Sequence, residues 1–293
     1  MGWRTVVISE RAKLEYSMGY MVVRGRETKR LFLDDVQTVI LETPAVSMTG
    51  VWLNECTARK IKVIFCNEKH NPAAELVPCA NSAGSSGCVR QQIRWKQEIK
   101  DLVWQAVIKE KIRQQRLVLT DFGHKSEAAV LAGYESEVLS GDATNREGPA
   151  AKVYFNAMRG KFFTRRDICP LNGALDYGYA ILLAAFNREI VAAGYLTQLG
   201  IKHDSQFNPF NLGSDLMEPF RPLVDRVVMP LCIEEFAREH KMKMVNLINQ
   251  YVMQEGKKVL ISQAIGTYTH SVFRAVEEEN IGLISFYECI HEE

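Results

Sequence analysis

"NPAAELVPCANSAGSSGCVRQQ", Asn71–Gln92, is the stretch where this chain changes character. Pro72, Pro78, Gly84, Ser85, Ser86 and Gly87 supply turn and linker chemistry. Before the stretch, apolar residues come in short β-branched runs; after it, they recur at helical spacing. A domain boundary is therefore expected here, with a mobile linker over 76–90.

Upstream, "RTVVISE", "AKLEYSMGYMVVRG", "KRLFLD", "VQTVILET" and "KIKVIFCNE" read as strands separated by charged and glycine-containing turns. "MTGVWLNECTARK" suits a short helix between them. Downstream, "VRQQIRWKQEIKDLVWQAVIKEKIRQQRLVL" spaces Trp95, Ile99, Leu102, Val103, Ala106 and Val107 as one helix would. "SEAAVLAGYESEVLSG" reads as a helix closed by Gly141, and "GPAAKVYFNAM" as one with Pro149 just inside its start. "ALDYGYAILLAAFNREIVAAGY" is apolar enough for a central core helix, with Asn172 as its cap and Gly178 allowing close helix approach. Pro219 and Pro222 should bend or break the next helix, and two more are expected around 241–256 and 258–279. The expected fold class is α+β: a small, mostly antiparallel, sandwich-like β domain over 1–75, then a larger all-α domain over 91–293.

Bulk properties narrow the function less. The chain has 293 residues, 47% hydrophobic and 24% charged, with a formal net charge of +1, so any polyanion partner must be held by local charge clusters. The N-terminus lacks the apolar core of a signal peptide, and no apolar run approaches the roughly 20 residues that span a bilayer. Seven cysteines at 56, 66, 79, 88, 169, 232 and 289 form no C-x-x-C pair, so a zinc ribbon or a disulfide framework is not expected. A reducing cytoplasm is the expected compartment, with no membrane partner.

Three segments concentrate groups that do chemistry. Glu147 stands among Arg146, Lys152, Arg159, Lys161, Arg165 and Arg166, a patch suited to phosphate contacts. Its bland reading is a solvated face with an acid favoured at a helix start. His203 lies in the polar loop of "GIKHDSQFNPFNLGSDLMEPFRP", where an idle exposed imidazole is the ordinary outcome. Asp215, Glu218 and Asp225 would share a face of a continuous helix; the bland reading is an N-cap followed by charges paired with Arg221 and Arg226. One Glu, one His and a further carboxylate from three distant segments suit Mg²⁺ or Mn²⁺ better than zinc.

Taken in order, "NREGPAAKVYF", "NGALDYGYAILLA" and "GIKHDSQFNPFNLGSDLMEPFRPLVDRVV" resemble the CRISPR-associated integrase family of spacer acquisition. The resemblance covers essentially the whole chain and is greatest to the type II-A subtype. It implies an N-terminal β domain that dimerises and a helical catalytic domain whose metal ligands are Glu147, His203 and Glu218. Asp215 takes the place of a further acidic residue, and some relatives carry Asp where this chain has Glu218. The implied activity is insertion of prespacer DNA into a CRISPR repeat array. Its 3′-hydroxyls attack phosphodiesters, and metal-dependent endonuclease cleavage is the related reaction. The implied partners are double-stranded DNA, a second copy of the chain, a small CRISPR-associated subunit bridging two dimers, other adaptation proteins and the effector nuclease. Lys and Arg outnumber Asp and Glu by eight to three over Arg90 to Arg116, and the resemblance makes that helix a second holder of the DNA backbone. The alternative is a non-catalytic DNA-binding scaffold of an adaptation complex.

Overall fold

The structure is a computed structural model that describes residues 4–68, 72–76, 78, 85–231 and 233–290. Residues 77 and 79–84 of the expected linker lie outside them, as do Cys79, Cys232, His70 and His291. The chain divides into two compact units, Met1–Ser85 with Val191–Gly194, and Ser86–Ile190 with Tyr195–Glu293.

The first unit contains β1 (Arg4–Ile8), β2 (Ala12–Ser17), β3 (Tyr20–Arg24), β4 (Thr28–Phe32), β5 (Val36–Leu41), β6 (Val46–Met48), α1 (Gly50–Ala58), β7 (Lys62–Cys66) and β8 (Pro72–Glu75). Two four-stranded sheets, ordered β1-β5-β7-β8 and β4-β3-β2-β6, share one core with α1. Leu14, Met21, Leu33, Val39, Trp52, Cys56 and Val63 fill it, and Cys56 acts there as a small apolar residue. The β2–β3 hairpin turns on Met18 and Gly19, both at positive φ, as a tight two-residue turn requires. The Thr49 hydroxyl accepts from the Trp52 amide at 3.3 Å and starts α1.

The expectation of a mostly antiparallel domain is corrected: β1/β5, β5/β7 and β2/β6 are parallel. The α1 crossover is what lets β7 return beside β5 in the same direction. β5, VQTVIL, is buried at every position, its apolar run interrupted only by the buried polar residues Gln37 and Thr38. The opening stretch also holds more structure than linker chemistry implies. Its residues 72–75 form β8, the edge strand antiparallel to β7, and Pro72 opens that strand, where a missing N–H is tolerated. Its residues from Ser85 are already helical, so the expected linker over 76–90 ends early.

In the second unit the helices are α2 (Ser85–Ile93), α3 (Gln97–Asp121), α4 (Lys125–Glu137), α5 (Glu147–Arg159), α6 (Pro170–Ala192), α7 (Asn211–Leu216), α8 (Arg221–Val228), α9 (Arg238–Leu247) and α10 (Ile261–Glu277). The single helix expected from Val89 to Leu119 is two. Trp95 lies in the break and packs on the rings of Tyr195 and Phe273 at 5.6 and 6.2 Å, while Gln92 ties α2 to the carbonyls of Leu196 and Leu199. Helix α4 stops at Glu137, before Gly141, because Val138 is extended. Core helix α6 is as expected, but Asn172 does not cap it; its amide donates to the carbonyls of Thr164 and Asp167 in the loop before the helix.

The unit is mainly helical and not all-α. Where the expected helix over 241–256 would end, β9 (Tyr251–Gln254) and β10 (Lys257–Leu260) form a hairpin through Glu255 and Gly256, both at positive φ. Strand β9 also bridges to Glu288, and Tyr287 beside it is wholly buried. The Tyr287 hydroxyl donates to the Pro219 carbonyl at 3.0 Å and its ring meets Phe220 at 4.6 Å, fixing the turn that carries Glu218. Among the described residues no helix is long and apolar enough to cross a membrane.

Candidate active site

Glu147 is the first residue of α5. The turn before it needs Gly141, Asp142 and Asn145 at positive φ. Asp142 then accepts from the amides of Arg146 at 2.8 Å and Glu147 at 3.2 Å. Asp142 thus satisfies the amides at the start of this helix, and Glu147 stands in its first turn, where the bland reading placed a favoured acid. The Glu147 side chain reaches the Lys111 ammonium at 2.6 Å.

Pro219 and Pro222 do break the helix here, leaving a 3-10 turn, Glu218–Phe220, between α7 and α8. Asp215, Glu218 and Asp225 thus aim at different partners. Glu218 Oε1 faces Arg221 Nε at 2.9 Å, and Oε2 lies 2.5 Å from Lys111 Nζ. Burial would raise this carboxyl, but Lys111 and Arg221 outweigh it and hold the group below its ordinary value. Burial would lower the Lys111 ammonium, and Glu218 and Glu147 hold it above its usual range. Asp225 accepts from the Tyr179 hydroxyl, and the Tyr179 ring lies under the guanidinium groups of Arg221 at 4.7 Å and Arg165 at 5.4 Å.

His203 is half-exposed and edges onto the Trp104 ring at 5.8 Å. Its Nδ1 lies 2.5 Å from Asp215 Oδ1, which lifts the imidazole above its usual pKa against the pull of burial. Asp215 is wholly buried and also takes the amides of Ile201, Lys202 and His203 at 2.6, 2.9 and 3.1 Å. It caps no helix; it folds the 201–203 loop around itself and orients the imidazole, leaving Nε2 for another partner. Gly200 is required there, since a Cβ would stand 2.2 Å from the His203 carbonyl and 2.7 Å from Asp215.

A divalent cation needs oxygen donors that converge. Glu147 and Glu218 come from separate elements and meet the same ammonium, and buried Glu218 Oε2 accepts no well-directed hydrogen bond even from that ammonium. Two carboxylates and one oriented imidazole are a donor set that fits Mg²⁺ or Mn²⁺. Among the described residues no three His, Cys, Asp or Glu side chains are arranged to hold an ion as they stand; Lys111 takes the place between the glutamates.

The expected phosphate-holding residues separate into two groups. Lys152, Lys161, Arg159 and Arg166 are exposed, although Arg159 also donates to the Met229 carbonyl at 3.3 Å. Arg146 pairs with Glu137 at 3.1 Å, and Arg165 is taken up by Asn172, Asp176 and the Tyr179 ring. The basic excess from Arg90 to Arg116 is partly taken up by ion pairs, while Arg90 and Arg94 stay exposed. Lys96, Arg113 and Arg116 pair with Glu279, Glu110 and Glu135, and Lys111 faces inward. The residues that sequence reasoning missed are Lys111 and Asp142. Lys111 was legible only as one more cation of a basic helix, though its position four residues after Val107 on the apolar stripe is a signal.

The chain is similar to known proteins in sequence and in fold. The family described as CRISPR associated protein Cas1 matches residues 5–264. The CRISPR-associated endonuclease Cas1 of Neisseria meningitidis serogroup C (strain 8013) is 34% identical over 232 residues, 79% of this chain and 76% of that protein. A Cas1 protein from Thermotoga maritima has the same fold, with a TM-score of 0.77 at 18% identity over 99% of this chain and 100% of that one. A casposase bound to integration product gives a TM-score of 0.79 at 16% identity over 95% of this chain and 92% of that one. The chain belongs to the Cas1 family of CRISPR-associated proteins.

Proposed function

We propose that this chain is a metal-dependent DNA integrase and endonuclease that inserts prespacer DNA into a CRISPR repeat array. The observation that carries the reading is the convergence of Glu147 and Glu218, from α5 and the 3-10 turn, on a single cation. Glu147, Glu218 and His203 would hold Mg²⁺ or Mn²⁺. The bound ion would polarise the phosphodiester and stabilise charge on the displaced oxygen. Asp215 keeps the imidazole aimed, and Arg221, held over Tyr179, keeps Glu218 aimed. The nucleophile is the 3′-hydroxyl of the incoming DNA, so no protein nucleophile is needed. Exposed Lys152, Lys161 and Arg166 would hold phosphates. The relative's name, an endonuclease, and the casposase's integration product both support the reaction class. The working unit would be a homodimer, joined through residues 1–75 and bridged by a small CRISPR-associated subunit, in the cytoplasm and of the type II-A subtype. A non-catalytic scaffold has no use for two glutamates converging on one charge.

The test is strand transfer by purified protein with its partner subunit, a prespacer, a repeat-containing plasmid and Mg²⁺ or Mn²⁺. Glu147→Ala, His203→Ala and Glu218→Ala each abolish joined products while circular dichroism shows the fold retained. Full joining by two of the three would remove the ligand assignment.

A further inference from the structure

Lys111 stands where the proposed site would take its ion. Its side chain is only 10% exposed, on the inward face of α3, and it reaches Glu147 at 2.6 Å and Glu218 at 2.5 Å. Buried lysines are rare because the ammonium loses its water, so one that persists has its charge matched by neighbours. The match here is complete: Lys111 and Arg221 contribute two positive charges against the two negative charges of Glu147 and Glu218. The two cations are held differently. Arg221 sits over the Tyr179 ring and faces Glu218 Oε1. Lys111 is a point charge on a flexible four-carbon stem and touches one oxygen of each glutamate, Glu147 Oε1 and Glu218 Oε2.

Resting on the ligand set proposed above, we infer that Lys111 is a built-in, displaceable counter-ion: it neutralises Glu147 and Glu218 in the metal-free protein and competes with the divalent cation for their oxygens. A dication entering beside a retained ammonium would meet a neutral cluster and a like charge a few ångströms away, at a cost of kilocalories. With the ammonium withdrawn, the same oxygens present net negative charge. Lys111 therefore weakens ion affinity and keeps the two glutamates from repelling each other when no ion is bound. The site is stable empty and loads only where the divalent ion outcompetes the lysine.

The experiment is Mn²⁺ titration of the full-length protein, followed by electron paramagnetic resonance, with melting curves taken with and without Mn²⁺. Lys111→Met binds Mn²⁺ roughly tenfold or more tightly than wild type. It melts lower without the ion, and Mn²⁺ raises its melting temperature by more than in wild type. Lys111→Arg, which keeps the charge, stays close to wild-type affinity. Unchanged or weaker Mn²⁺ binding in folded Lys111→Met overturns the inference. So does a variant that stays unfolded at saturating Mn²⁺, because the ion should replace the lost charge. Glu147→Gln separates the two ideas. If it binds Mn²⁺ as wild type does, the ligand set itself is wrong. If it binds weakly while Lys111→Met gains nothing, the ligand set stands and only the counter-ion role falls.

Discussion

Asp215 makes the case at the scale of one residue. A wholly buried carboxylate is expensive unless its oxygens are satisfied, and here three backbone amides and an imidazole converge on it. Asp215→Asn keeps the shape but turns one acceptor into a donor that faces amide N–H groups. The expected cost is about 1–3 kcal/mol in stability, read by thermal melting. Strand transfer and Mn²⁺ affinity should fall roughly 10- to 100-fold, as when a ligand loses the partner that orients it. His203, Glu147 and Glu218 were each legible as residue types in a suitable context. The direction of each side chain was not. Asp215 read either as a routine cap or as a further acidic residue of the site, and Lys111 as a surface cation, because a local sequence window carries no information about partners more than thirty positions away, such as Lys111 and Glu147.

At the scale of elements, packing decided what periodicity left open. Gly178 on α6 lies so close to α8 and α9 that a Cβ would sit 2.4 Å from Val224 Cγ1 and 3.2 Å from Met244 Sδ. Gly178→Ala should therefore lose about 1–3 kcal/mol through overpacking, despite alanine's better helix propensity. A fall in urea midpoint with an unchanged slope checks it. Strands with strong β-branched patterns and helices with long apolar stripes were legible because their signal is local. The hairpin β9–β10 was not. Its turn is Glu255–Gly256 rather than the usual Asn-Gly or Asp-Gly, and each strand is only four residues long. Strand β8 was hidden for a related reason: an edge strand opened by proline has the composition of a linker.

At the scale of the helical unit, charge is buried at the point where α6 and α8 meet. Asp225 is wholly buried, and burial pushes its carboxyl up to about 6 against the Tyr179 hydrogen bond and the charges of Arg165 and Arg221. A folded-state value above the unfolded one means that the folded protein binds the extra proton. Asp225 therefore favours folding below about pH 4, and that advantage is lost as pH rises from about 4 to about 6. Asp225→Asn keeps an acceptor for Tyr179 and removes this dependence. Relative to wild type, the variant should gain stability on going from pH 4.5 to pH 8, by roughly 2 kcal/mol at the upper bound of linkage. Melting curves at both pH values check it, and a variant-minus-wild-type difference that does not change with pH would sink the assignment. By itself the sequence determined the β-to-helix division, most element types and the family, because apolar period, turn chemistry and ordered motifs are written along the chain. Only the tertiary structure decided which strands run parallel, which cations face solvent, and that Glu147 and Glu218 meet on Lys111. Those are facts of long-range packing, fixed when distant elements bury their apolar faces together, and no single stretch of the chain encodes them.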